Sequence, residues 1–183
     1  MVKNLIICEG KNDKKFLEEL LEDLKIDNIV VQFLGRDAKN KSSIFKREKY
    51  HRIKKEVGTI YRNLLIMFDS DYEKNDAKYG GYINSEEEIK LLIDDLELQD
   101  YADYYIVCDP NNKNGYLESL ILSTIPKKEK ECIESFINCS NFKDKEKDKA
   151  ILNQIYKLGY PNEPYNFLHI HYKSLRDKLL MFS

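Results

Sequence analysis

Asp69-Ser70-Asp71 ends an apolar run, Leu64-Leu65-Ile66-Met67-Phe68, and Glu73 follows two residues later. Carboxylates packed this closely repel one another unless a hard cation neutralises them, and an all-oxygen donor set suits magnesium. The same residues also describe a strand followed by an Asp-rich turn, because aspartate caps turns and helix starts. A second acid, Glu9, stands at the end of Asn4-Leu5-Ile6-Ile7-Cys8, and Gly10 and Asp13 come next. There Gly10 is expected to permit an unusual backbone conformation, and Asn12 or Asp13 to accept the free N–H groups that open a helix.

These acids need strands to hold them at one edge. Both apolar runs are too short for lone helices and read as strands buried on both faces of a parallel sheet, whose C-terminal edge is where ligands bind. After Glu9, Phe16, Leu17, Leu20, Leu21 and Leu24 recur at helical spacing, and Asn28 to Leu34 is a further β-branched strand. Ile53, Val57, Ile60 and Tyr61 predict a helix from about Phe45 to Arg62. Tyr72 to Asn84 reads as a mobile loop, and a capping box at Ser85 to Glu88 predicts a helix over about Glu86 to Leu98. Tyr104 to Cys108 is a fourth strand, followed by Asp109, a Pro110-Asn111-Asn112 turn and a helix from about Gly115. In a parallel sheet Asp109 emerges beside the other acids and Glu118 lies one helical turn further on; with Asp13 they form a second rank of site candidates. Read alone, Glu118 fits a solvent-facing helix acid slightly better.

The chain has 183 residues, 42% hydrophobic and 34% charged, with a formal net charge of −2. That suits one α/β domain over 1–125 with a helical extension over 126–183 packed on the same core. No stretch predicts a membrane span or a signal peptide, and Cys8, Cys108, Cys132 and Cys139 form no C-x-x-C pair, so they read as reduced thiols in a cytoplasm. Between Arg36 and Arg62 there are ten Lys or Arg against three Asp or Glu. Lys46, Arg47, Arg52 and Lys55 there, with Arg36 and Lys11, are candidate phosphate contacts, and Tyr50, His51 and Tyr61 are candidate stacking surfaces. A solvated basic helix explains the same residues. The outer face of the next helix, with Glu86, Glu87, Asp94, Asp95 and Glu97, would repel a phosphate backbone.

The pair of motifs, strand-Glu9-Gly10-x-x-Asp13 and strand-Asp69-x-Asp71, resembles the Toprim domain shared by topoisomerases, bacterial primases, maturation ribonucleases and the overcoming-lysogenisation-defect nucleases. The resemblance covers roughly the first two thirds of the chain. It implies a parallel four-stranded sheet flanked by helices, Glu9 as general acid/base or metal ligand, and Asp69 and Asp71 as ligands of magnesium or manganese. Glu73 matches the third acid of the D-x-D-x-E version in type IA topoisomerases. The stretch from Asp109-Pro110 to Gly115-x-Leu117-Glu118-x-Leu120 is similar to small stand-alone bacterial Toprim-related proteins.

Beyond Pro126 the chain reads as helical. Cys132, Ile133, Phe136 and Ile137 mark one face, Ile151, Leu152, Ile155 and Tyr156 another, and Leu175, Leu179 and Leu180 a closing helix over about Tyr172 to Met181. Lys143 to Lys149 alternates in sign as a solvated helix entry does. His169 and His171 could ligate metal from a strand, but without further His or Cys nearby they read as structural.

The expected function is Mg²⁺-dependent phosphodiester chemistry on DNA or RNA, of the nuclease type. The alternative is a non-catalytic Toprim module that binds nucleic acid or a protein partner. No part of the chain resembles a topoisomerase's nucleophile-tyrosine domain, a primase's zinc module or a Gly-rich phosphate loop. ATP hydrolysis would need a separate ATPase subunit. A response-regulator-like receiver fits poorly, since no lysine follows a last strand in the required place.

Overall fold

Four apolar runs form the strands β1 (Lys3–Cys8), β2 (Ile29–Phe33), β3 (Tyr61–Asp69) and β4 (Ala102–Val107), in a computed structural model that describes residues 3–34, 44–74, 76–139 and 165–183. They make one sheet in the order β2-β1-β3-β4, every neighbouring pair parallel, as expected from the sequence. Six α-helices accompany them among the described residues: α1 (Lys11–Asp23), α2 (His51–Glu56), α3 (Tyr82–Asp95), α4 (Leu117–Ser123), α5 (Lys127–Cys139) and α6 (Lys173–Phe182).

Alternation along the central strands sends side chains to two cores. Ile6, Cys8, Leu65 and Met67 pack with α1, α4 and α6 on one face. Leu5, Ile7, Leu64, Ile66 and Phe68 pack with Ile44, Tyr50, Ile53 and α3 on the other. The crossover through α1 carries the chain outward from β1 to β2, and that through α3 carries it from β3 to β4 in the opposite direction. Right-handed connections running in opposite directions must lie on opposite faces, as these do. The chain direction therefore reverses between β1 and β3, and their C-terminal ends flank the crevice where open α/β sheets bind ligands.

Several local expectations fail for physical reasons. The helix expected over Phe45 to Arg62 is a 3-10 turn (Arg47–Tyr50) running into the short α2. Val57 is extended (ψ 136°), Gly58 takes φ +80°, and Tyr61 opens β3, so one apolar periodicity ran across a helix, a turn and a strand. Ile60, assigned to the buried stripe, is 61% exposed. The expected capping box is also absent: α3 starts earlier, behind Gly81 at φ +87°, and Ser85 lies inside it. The Ser85 hydroxyl instead donates to Tyr79 O (2.7 Å) with Ser70 O a longer alternative acceptor (3.3 Å), and Gly81 N donates to Ser70 O (2.8 Å), so the helix is tied to the end of β3. Gly10 has φ −135° and ψ 174°, an extended conformation open to any residue.

At the C-terminal end, Phe167, Tyr172, Leu175 and Leu179 join the core formed by β1 and α1, and Phe16 meets the rings of Tyr165, Phe167 and Tyr172. Asn28 Nδ2 donates to Ser183 O (2.7 Å) and Asn4 Nδ2 to Phe182 O, fixing the last residues beneath the sheet. Leu180, placed on the apolar stripe, is half exposed. No described residue of α5 joins either core, and Cys132 and Phe136 are exposed there. His171 Nδ1 lies 2.8 Å from Ser123 Oγ, and the two histidines meet edge to face in a 3-10 turn rather than on a strand. All four cysteines are free. Among the described residues no helix is long and apolar enough to cross a membrane. Arg36, the Lys143 to Lys149 tract and the helix expected around Ile151 to Gly159 lie outside the described residues.

If α6 is part of the same core, Leu175→Ala should cost about 2–5 kcal/mol, as a fully buried leucine does. Urea unfolding checks this, and a loss below about 1 kcal/mol would show α6 to be an appendage.

Candidate functional site

Glu9 leaves the end of β1 and Asp69 is the last residue of β3; both are 7% exposed. Because these strands are parallel neighbours, the Glu9 side chain reaches the end of β3: Glu9 Oε1 accepts the Asp69 backbone N–H at 3.4 Å. Asp69 Oδ1 accepts the N–H of Leu117, the first residue of α4, at 2.9 Å. Asp13 Oδ2 accepts the N–H of Gly10 at 2.7 Å, closing the start of α1 beneath Glu9.

The loop after β4 completes the wall. Asp71 and Gly115 exchange both backbone hydrogen bonds (2.8 and 3.0 Å), and Ser70 Oγ donates to Lys113 O (3.1 Å). Asp71 is held at φ +55°, a conformation aspartate tolerates better than most residues, and one that gathers at functional sites. Gly115 sits at φ +100°, where a Cβ would stand 2.7 Å from Ser119 Cβ, so only glycine lets this return strand lie against α4.

Burial pushes the Asp69 carboxyl well above the usual carboxylate range, and the neighbouring charges of Glu9, Asp13, Asp71 and Glu118, in that order, push it further. Four other acids assigned from the sequence thus act on Asp69, including Glu118, which is 7% exposed rather than solvent-facing. Glu9 also raises the proton affinity of buried Tyr50, after burial itself. Two assigned acids stand apart. Glu73 is exposed and lines a cleft of about 430 Å³ with Gly80, Asn112 and Asn114. Asp109 Oδ1 accepts the backbone and side-chain N–H of Asn111 (both 2.9 Å), holding its own turn. No group of three His, Cys, Asp or Glu among the described residues converges as ligands of one ion. Carboxylates of Glu9, Asp13 and Asp69 are instead turned toward backbone N–H groups.

Among the described residues, several of the basic candidates are already paired. Arg47 pairs with Asp95, Lys54 with Glu97 (2.6 Å), and Arg52 reaches Gln32 (3.0 Å) and Glu56 (3.7 Å), so much of this charge is met by the end of α3, by the residue just beyond it and by α2 itself. Lys11 and Lys55 are exposed, and Lys46 is half buried. Tyr50, expected as a stacking surface, is fully buried, its hydroxyl donating to Ile44 O (2.8 Å), and Tyr61 accepts from Gln32 Nε2 (3.0 Å). Sequence reasoning missed Ser70, Lys113 and Gly115. Asn111-Asn112-Lys113-Asn114-Gly115 signals a turn, but nothing local to it says that it pairs with Asp71.

Fold and crevice define a parallel α/β protein with a buried carboxylate cluster at its switch point. The chain belongs to the family described as Protein of unknown function (DUF3226), whose model matches residues 3–164. No curated protein and no solved structure matches it.

Since the folded protein raises the Asp69 pKa, its contribution to stability is complete below the usual carboxylate range and is lost as pH rises through the folded value. Asp69→Asn keeps an acceptor for Leu117 N and removes the charge. In metal-free buffer its urea midpoint should exceed the parent's at neutral pH, with the gap closing toward pH ~4. An unchanged or lower midpoint at neutral pH would contradict the like-charge cluster.

Proposed function

We propose that this chain carries out Mg²⁺- or Mn²⁺-dependent phosphodiester chemistry on nucleic acid, of the nuclease type. One observation carries the reading: the buried carboxyl of Asp69 lies at the switch point among four further acids. Such a cluster costs stability in the metal-free protein, and perturbed acids of this kind mark functional crevices. The sequence resemblance to Toprim domains, resting on Glu9 and on Asp69 and Asp71, points the same way.

The donor set fits a hard cation, being all carboxylate oxygen. A carboxylate offers about four lone-pair sites, so accepting a backbone N–H leaves it able to ligate. Asp69 and Asp71 are the ligands we assign, with Asp13 and Glu118 adding negative potential around them. A bound divalent ion would supply positive charge against a phosphate and against the charge that develops on it. Glu9 holds or moves the proton: it is buried, it touches the Asp69 backbone, and its carboxyl is the nearest to Asp69 in electrostatic effect. The Leu117 N–H and the Asp71–Gly115 pairing keep the aspartates oriented, and the apolar residues beneath limit the water around them.

A second reading, a non-catalytic module binding nucleic acid or a protein partner such as an ATPase subunit, is favoured because no three ligands converge among the described residues. Metal dependence separates the two. Saturating Mg²⁺ should raise the parent's stability, by about 2.7 kcal/mol at a hundredfold excess over Kd, and should leave Asp69→Asn unmoved. Glu9→Gln should abolish Mg²⁺-dependent cleavage of DNA or RNA and leave binding intact. Metal-independent binding with neither a stability shift nor cleavage would establish the module instead.

A further inference from the structure

We propose that the cleft beside β4 receives a nucleotide of a single-stranded nucleic acid, its base among tyrosines and its phosphate on Lys113. The inference rests on the reading above and names the form of its substrate. The cleft measures about 870 Å³, within the range that holds a small ligand, and runs between the start of α3 and the start of α6 along the edge of the sheet. Tyr82, Tyr104 and Tyr105 line it, with His171 and Lys113. A strand whose bases are unstacked can place one against such rings, whereas a duplex keeps its bases inside.

Charge locates the phosphate. Of the cations at this cleft, Lys173 is paired with Asp177 (2.6 Å) and Lys178 with Asp103. Glu86, beside it, is held by Lys90 (3.2 Å) and by the Tyr104 hydroxyl (3.0 Å). Lys113 Nζ instead stands over the Tyr82 ring, 5.2 Å from its centre, so the ammonium and one aromatic surface form a unit at the mouth.

The cleft adjoins the acids through this same residue. Lys113 O accepts from Ser70 Oγ, the residue between the two aspartates, and Gly115 two positions later pairs with Asp71. Tyr82 and Lys113 also line the smaller cleft that contains Glu73, Asn112 and Asn114. A chain crossing Lys113 could therefore place one nucleotide beside β4 and the adjoining phosphate toward Asp71. Lys113 is a positioning residue on this account, since the acids and not the ammonium face the reacting group.

The test is fluorescence anisotropy with a fluorescein-labelled oligothymidylate and its duplex with oligoadenylate, in EDTA and, on a Glu9→Gln background, in Mg²⁺. Lys113→Gln and Tyr82→Leu, each checked for an unchanged melting temperature, should weaken single-strand binding by roughly tenfold. Lys113→Gln should also lower the salt slope by about one unit. Tyr104→Leu gives a second route should Tyr82→Leu melt early. The parent should prefer the single strand. Equal binding by parent and variants, preference for the duplex, or no binding in either buffer would overturn the inference. Cleavage reports separately on the reading beneath it: Mg²⁺-dependent cleavage with a KM unmoved in Lys113→Gln and Tyr82→Leu rejects the cleft alone. Weakened binding in those variants without any cleavage by the parent supports the cleft and rejects the chemistry.

Discussion

The Asp69 carboxylate, buried at the end of the central strand β3, is the constraint around which the crevice is built. Its backbone N–H reaches Glu9 across the β1–β3 pairing, and its Oδ1 takes the Leu117 N–H across the sheet edge. Moving it would disturb the end of β1, the first turn of α4 and the return strand through Gly115 at once. These backbone bonds orient the carboxylate but do not neutralise it, and Glu9, Asp13, Asp71 and Glu118 add to its charge. Concentrating like charge at a switch point costs stability in the metal-free protein, which supports the divalent-cation reading proposed above.

The formal charge pattern along the sequence pointed elsewhere, to the basic stretch before β3. Folding sets that stretch against the C-terminal end of α3, and Arg47 pairs with Asp95 there and Lys54 with Glu97 just beyond the helix. Exposed pairs of this kind add little stability, yet they lower the net potential that a phosphate backbone would meet. The segment between the aspartates instead meets the backbone of Lys113, whose carbonyl accepts from Ser70 Oγ and whose ammonium stands over Tyr82, in a turn whose composition gives no hint of it. Local charge density and proximity to the site are different quantities, and the sheet topology decides the second.

What was legible in the sequence was what burial dictates. Strands such as Leu64 to Phe68 are covered on both faces, so they are apolar throughout and end sharply at the acids they present. Parallel order followed from crossover-sized intervals, and Glu9 and Asp69 came together because both follow strand ends. Features that depend on distant partners were not legible. Ser85 reads as a cap by its neighbours, but its hydroxyl donates to Tyr79 O, with Ser70 O a longer alternative acceptor. Ile53 to Tyr61 reads as one helix because Gly58, at φ +80°, interrupts a periodicity that continues by coincidence into β3. Glu73, close to Asp71 along the chain, points to another cleft, whereas Glu118, far along it, comes beside Asp69 because α4 starts on the Asp69 carboxylate.

Whether this cluster binds a divalent cation can be read from crystals soaked in Mn²⁺ and measured at the manganese absorption edge. An anomalous peak bounded by Asp69 and Asp71 is expected, with Glu9 beside it and the carboxylates turned from their backbone partners toward the ion. No peak there, with Asp69 still accepting from Leu117 and Glu9 still accepting from Asp69, would contradict the divalent-cation reading.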